Sequence, residues 1–209
     1  MVLASLLIGG CSPSREKEGS CLADSAGTLR VLESVPHCAG NAYLECRLNC
    51  LAGNAASCLG LAYDAETDAK RRAEAIRYYR RACSLGAANG CTNYAASIWA
   101  GTHTAAELVC ARRIFEKSCA AKEPFACGMV GRLMLESENP ASRAGARKYL
   151  ESACDRVGGF PCRVLARHLE TGKLGAYKPE QIRALLTKAC NGGDPDACGE
   201  HATAAETFH

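Results

Sequence analysis

Residues 78–91 read YYRRACSLGAANGC, so Cys83 and Cys91 stand eight apart with Gly86 and Gly90 between them. The same spacing recurs along the chain. Cys50 and Cys58, Cys119 and Cys127, Cys154 and Cys162, and Cys190 and Cys198 are also eight apart. The first members of these five pairs step by 33, 36, 35 and 36 residues. A fixed period of that length is the signature of a repeat architecture.

The flanking residues keep the same register. Four residues before each first cysteine stand Cys46, Tyr79, Phe115, Leu150 and Leu186. Four residues after each second cysteine stand Ala62, Ala95, Gly131, Ala166 and Ala202, small every time. Taken with positions three and seven after that cysteine, they mark one helical face. Each unit therefore predicts two antiparallel helices. The longer one ends at the first cysteine, as over 73–83 and 144–154. A turn follows, marked by Gly86, Pro124, Gly158–Pro161 or Gly192–Pro195. The next helix starts near the second cysteine and ends around Gly101, Ser137 or Gly172. No run alternates with a period of two for long, so strands are not expected.

The helix ends Tyr78-Tyr79-Arg80-Arg81-Ala82-Cys83 and Tyr149-Leu150-Glu151-Ser152-Ala153-Cys154 resemble those of the Sel-like repeat family, relatives of the tetratricopeptide repeats. The closest likeness is to its disulfide-rich type, the Helicobacter cysteine-rich proteins. The resemblance runs from about Cys46 to Glu206. It implies an all-α solenoid of about five helix-turn-helix units. It also implies a bridge within each pair: Cys50–Cys58, Cys83–Cys91, Cys119–Cys127, Cys154–Cys162 and Cys190–Cys198. A bridge closing about nine residues contributes roughly 2.5 kcal/mol on loop entropy. Four cysteines remain besides Cys11, namely Cys21, Cys38, Cys46 and Cys110, with three possible connectivities. Cys38 and Cys46 are again eight apart, which suggests a sixth bridge. Cys46 also occupies an apolar core position, where burial alone would explain it.

Fifteen cysteines in 209 residues, with no C-x-x-C, disfavour zinc ribbons and thioredoxin-like redox sites. They point to an oxidising compartment. Met1–Gly10 is apolar and uncharged, ends in small residues and is too short to span a bilayer. It reads as a secretory signal, although the basic residues that usually open one are missing. Ile8-Gly9-Gly10-Cys11 resembles a lipobox, which makes Cys11 the lipidation site. Residues 12–20 are polar and suit a tether. The expected organisation is a signal over 1–10, an anchor, tether and N-terminal cap over 11–36, and the solenoid over 37–209. The expected location is the periplasm or outer membrane, after secretion across the inner membrane.

The net charge is only +3, which gives no case for a nucleic-acid partner. Lys70–Arg81 holds six basic residues, read as the solvated back of a helix or as a contact for an anionic partner. Ser14-Arg15-Glu16-Lys17 fits S-x-x-K, but no S-D-N accompanies it and Thr171-Gly172-Lys173 is not K-T-G. Some cysteine-rich relatives carry a penicillin-binding or weak β-lactamase label, so β-lactam or peptidoglycan-fragment chemistry is the alternative function. The five histidines form no metal-ligand spacing, and no phosphate-binding glycine loop occurs. No catalytic residue, metal or cofactor is assigned.

What remains is a surface for a protein or peptide. Positions two, five and six after each second cysteine avoid the core face. They place Tyr63, Asn93, Ser97, Met129, Arg132, Leu133, Arg167 and His168 along one groove, a mixture that suits protein contact.

Overall fold

A computed structural model describes residues 21–25, 27–175 and 178–199. Cys11, the S-x-x-K motif at Ser14–Lys17, the signal over 1–10, Ala202, His201 and His209 lie outside these residues. After a short helix α1 (Leu22–Ser25) the chain forms α2 (Tyr43–Leu51), α3 (Ala55–Glu66), α4 (Arg72–Ser84), α5 (Ala88–Ala100) and α6 (Ala105–Ala120). It continues through α7 (Pro124–Leu135), α8 (Pro140–Val157), α9 (Gly159–Glu170) and α10 (Pro179–Asn191). Residues 195–199 are helical as well. From α2 onward each helix packs on the next, and α7 also touches α9. That pattern of neighbour-only packing is an α-solenoid. No strand occurs among the described residues; one isolated β-bridge joins Arg30 and Ala87.

The cysteine pairs sit where the helices turn. The helix before each turn, which is the longer of its pair for α6 and α8 but not for α2 or α4, runs a little past its first cysteine: α2, α4, α6 and α10 overrun by one residue and α8 by three. At four of the five turns the following backbone repeats one hydrogen-bonding pattern. Gly53 N–H donates to Cys50 O and Asn54 N–H to Asn49 O. The same two bonds recur at Gly86 and Ala87, at Lys122 and Glu123, and at Gly193 and Asp194. This is the Schellman closure of a helix C-terminus, and it needs positive φ at the residue three after the cysteine. Gly53, Gly86 and Gly193 supply it with φ of 96°, 87° and 84°.

The second helix of each unit starts three residues before its second cysteine rather than at it. An N-cap explains the earlier start. Asn54 accepts from Ser57 N–H, and Glu123 accepts from Phe125 and Ala126 N–H. The second cysteine thus lies in a first helical turn, beside the last turn of the preceding helix. The five Cα–Cα separations are 4.3–4.7 Å, and all five pairs are bridged.

The repeated apolar positions form the core. Cys46, Tyr79, Phe115, Leu150 and Leu186 are all buried, as are Ala62, Ala95, Gly131 and Ala166. Buried residues fall into clusters strung along the chain, in keeping with a solenoid. Cys46 satisfies both of its readings, being bridged to Cys38 and 5% exposed.

The N-terminal segment lies along the repeats. Arg30 N–H donates to Gly86 O, Ala88 N–H donates to Arg30 O, and Leu32 N–H donates to Asn89 Oδ1. Cys21 is bridged to Cys110, 89 residues away, and Lys117 Nζ donates to Ala23 O. Seven bridges therefore take up every described cysteine.

Candidate functional site

The helices that begin each second half-unit, α3, α5, α7 and α9, carry the residues expected to form a groove. On α3, Tyr63 is partly exposed and meets the buried Tyr79 ring edge-on, 6.0 Å between centroids. Tyr79 Oη donates to Glu66 Oε2 at 2.5 Å. Burial pushes the Tyr79 hydroxyl well above the usual tyrosine range, and the Glu66 carboxylate adds to it. Burial and the charge of Glu123 raise Tyr63 too, against an opposing hydrogen bond with Asn93. Asn93 and Ser97 line a cleft of about 280 Å³ with Glu66, Arg72 and Tyr79. Ser97 Oγ is turned to its own helix, donating to Asn93 O at 2.8 Å.

A second group forms on α7 and α9. Phe125 and Phe160 rings are 5.2 Å apart. The guanidinium groups of Arg132 and Arg163 lie 6.0 and 5.8 Å from the centre of Phe160. Such stacking suits arginine's planar cation. Arg163 is held by Asp194 and Asp196 at 2.8 and 3.1 Å. Arg132 pairs with Glu136 at 3.5 Å. His168 Nδ1 is buried without a hydrogen-bond partner. Burial, then the charges of Lys173, Arg132 and Arg167, lower the His168 pKa below its ordinary 6.5, with Glu136 opposing.

The structure thus places Tyr63, Asn93 and Ser97 around one end, and Arg132, Arg167 and His168 around the other. Met129 and Leu133 do not join them. They are 4% and 5% exposed and belong to the core around Phe115 and Cys119. The reason is that α7 packs on α6, α8 and α9 at once, so its apolar face is wider than a single neighbour would require. The groove assignment for these two residues is corrected accordingly.

Five contributors escaped the sequence reading, Arg163 beside Phe160 among them. Phe125 and Phe160 both stand two residues before their second cysteine, a shared register that could have flagged them. Thr92 and Glu123 could not be paired from sequence. Thr92 Oγ1 donates to Glu123 Oε2 at 2.8 Å across two units, and both residues are buried. The basic run at Lys70–Arg81 is the outer side of α4: Arg72, Arg77, Arg80 and Arg81 are exposed. Arg71 turns inward to Glu74 and Asp64 at 2.9 and 3.2 Å. No helix among the described residues is long and apolar enough to cross a membrane.

No family model and no curated protein matches this sequence. Solved structures do. A protective antigen of uropathogenic Escherichia coli strains, displaying an SLR fold, superposes with a TM-score of 0.62 at 19% identity, over 80% of this chain and 37% of that one. A Sel1 repeat protein from Oxalobacter formigenes gives a TM-score of 0.46 at 19% identity, over 85% of this chain and 54% of that one. The chain therefore spans about a third to a half of the length of these structures. The likeness to the first of these concerns architecture, and with the helix pairs and bridges described above it identifies the fold of this chain as an SLR-type α-solenoid.

Proposed function

We propose that this protein is a protein-interaction scaffold of the cell envelope, holding a protein or peptide partner along the face built by α3, α5, α7 and α9. The observation that carries this reading is the composition of that face. It joins Tyr63, Asn93 and Phe160 to the cations of Arg132, Arg163 and Arg167 on rigid, bridged helices. Aromatic and arginine side chains dominate protein-binding energetics, and prior rigidity lowers the entropy cost of docking.

Seven disulfides belong to an oxidising compartment. Once the fourteen described cysteines have paired with one another, Cys11 is the odd one of fifteen. That arithmetic supports its reading as the lipidated residue, with 12–20 as tether to the outer or inner membrane. A lipoprotein's acyl chains would exceed the two-signal threshold for stable anchoring.

The test is affinity capture from detergent-solubilised envelope with the oxidised protein, beside Arg132→Glu with Arg167→Glu. We expect a protein enriched by the wild type and at least about tenfold depleted with the variant, equal to a loss of about 1.4 kcal/mol or more. Capture that is identical for both proteins would remove the groove from the account. Radiolabelled palmitate incorporation that persists in Cys11→Ser would remove the anchor.

A further inference from the structure

The turn between α6 and α7 departs from three others that share its hydrogen bonds. Gly53, Gly86 and Gly193 occupy the left-handed position three residues after their first cysteine, and Lys122 occupies it after Cys119 with φ of 69°. Lys122 is the only non-glycine residue with positive φ among the described residues. That conformation disfavours a lysine and costs glycine nothing. The hydrogen bonds of the turn are the same with or without a side chain there, from Lys122 N–H to Cys119 O and Glu123 N–H to Ser118 O. A strained side chain that the turn itself does not require points to a use for the side chain.

Lys122 lines a cleft of about 440 Å³, away from the groove residues, where α6 and α8 flank α7. Lys148 and Arg156 line it as well, with Tyr149, Val130 and the Cys119–Cys127 bridge as apolar wall. Lys122, Lys148 and Arg156 are exposed, and Tyr149 is 39% exposed. The one acid on the rim, Glu116, pairs with Arg112 on its own helix. Arg156 Nη1 donates to the backbone carbonyl of Lys122, which anchors this guanidinium to the strained turn across the unit boundary. The cleft is therefore cationic, with an apolar wall and no rim carboxylate paired to Lys122 or Lys148.

The spacing of the cations sets the shape of the anion. Lys148 and Arg156 are eight residues apart on α8, which is about 12 Å along a helix. Cations carried at backbone positions that far apart suit an anion whose charges are distributed along it. They match a linear anion, and about 12 Å is the length of three to four residues of extended chain. We infer that this cleft is a second docking site, which takes an extended acidic peptide segment with carboxylates three to four residues apart, and that Lys122 is kept in its strained turn to bind it. The site is independent of the groove reading above.

The experiment uses the oxidised full chain and fluorescein-labelled hexaglutamate, followed by anisotropy, with hexaglutamine as the neutral control. Lys122→Gly restores the residue that the turn favours, so its melting temperature should equal or exceed the wild type's. Its affinity for hexaglutamate should nevertheless fall by about fivefold or more, as should that of Lys148→Ala. Arg81→Ala, an exposed cation elsewhere on the outer side, should bind as the wild type does. Arg132→Glu with Arg167→Glu should also bind hexaglutamate normally, which separates this site from the groove. Wild-type affinity in Lys122→Gly would overturn the proposal. So would an equal loss in Arg81→Ala, which would mean general charge attraction. Tighter binding of inorganic phosphate, or of phosphatidylglycerol vesicles, than of the peptide would overturn it in favour of a phosphate or lipid site.

Discussion

The position four residues before the second cysteine does the same job in three units with different side chains. Asn54, Glu123 and Asp194 each cap the helix that follows by accepting backbone N–H groups. Ala87 has no side chain to offer, and the N-terminal segment supplies Arg30 O to Ala88 N–H instead. Two of these caps also reach back to the preceding unit, to Thr92 from Glu123 and to Arg163 from Asp194. One residue thus ends a turn and joins two repeats. His168 offers a test at this scale. Arg132 and Glu136 of α7 face it, as do Arg167 and Lys173. Because burial and nearby cations hold its pKa below the ordinary value, the unfolded chain takes up the proton first. The stabilising contribution of neutral His168 is present above about pH 6.5 and is lost as pH falls through the folded value. The gap in unfolding free energy between wild type and His168→Gln should therefore shrink from about pH 7.5 to about pH 5 in urea titrations. A gap that stays constant would contradict the burial of a neutral imidazole.

Between elements, small residues set how closely helices approach. Gly131 faces α8, and a Cβ built on it would lie 2.8 Å from Leu150 Cγ and 3.2 Å from Ala146 O. Gly128 packs in the same way on Pro161, at 2.7 Å from its Cγ. The α7–α8 contact is thus made of a glycine against a leucine and an alanine. Gly131→Val should cost about 2–3 kcal/mol, because the added isopropyl group must displace Leu150 or the α8 backbone. Urea unfolding of the oxidised protein reads this directly. A loss below about 0.5 kcal/mol would mean that the helices slide apart freely. The position was legible in the sequence as the small residue four after the cysteine. The wider apolar face of α7 was not, because the number of neighbours around a helix is a property of the packed solenoid. Met129 and Leu133 fell on the wrong side for that reason.

At the scale of the whole molecule, the bridges differ in reach. The nine-residue staples act within a unit, whereas Cys21–Cys110 ties α1 to α6 across 89 residues of chain. A bridge that closes a longer loop removes more freedom from the unfolded chain. On loop entropy, removing Cys21–Cys110 should cost about 4.5 kcal/mol, against about 2.5 kcal/mol for Cys154–Cys162. Paired cysteine-to-serine variants compared by denaturant unfolding give the order, and full reduction should lower the melting temperature steeply. Equal costs for the two bridges would show that the staples act mainly in the native state, and an unchanged helical melt in excess reductant would show that they do not stabilise the fold.

The sequence by itself determined the period, the helix pairs, the turns and the small and apolar positions of the core. These depend on local spacing, and a repeat copies its local spacing along the chain. It also placed Tyr63, Asn93, Ser97, Arg132, Arg167 and His168 on partly exposed helix faces. Only the tertiary structure decided the partners of Cys21, Cys38, Cys46 and Cys110, the Thr92–Glu123 and Arg163–Asp194 links, and the cleft around Lys122. Apart from Cys38 and Cys46, which are only eight residues apart, these join residues from different units, or from the N-terminal segment and a distant repeat. Their meeting is set by how helices stack in space, which residue spacing within one unit does not encode.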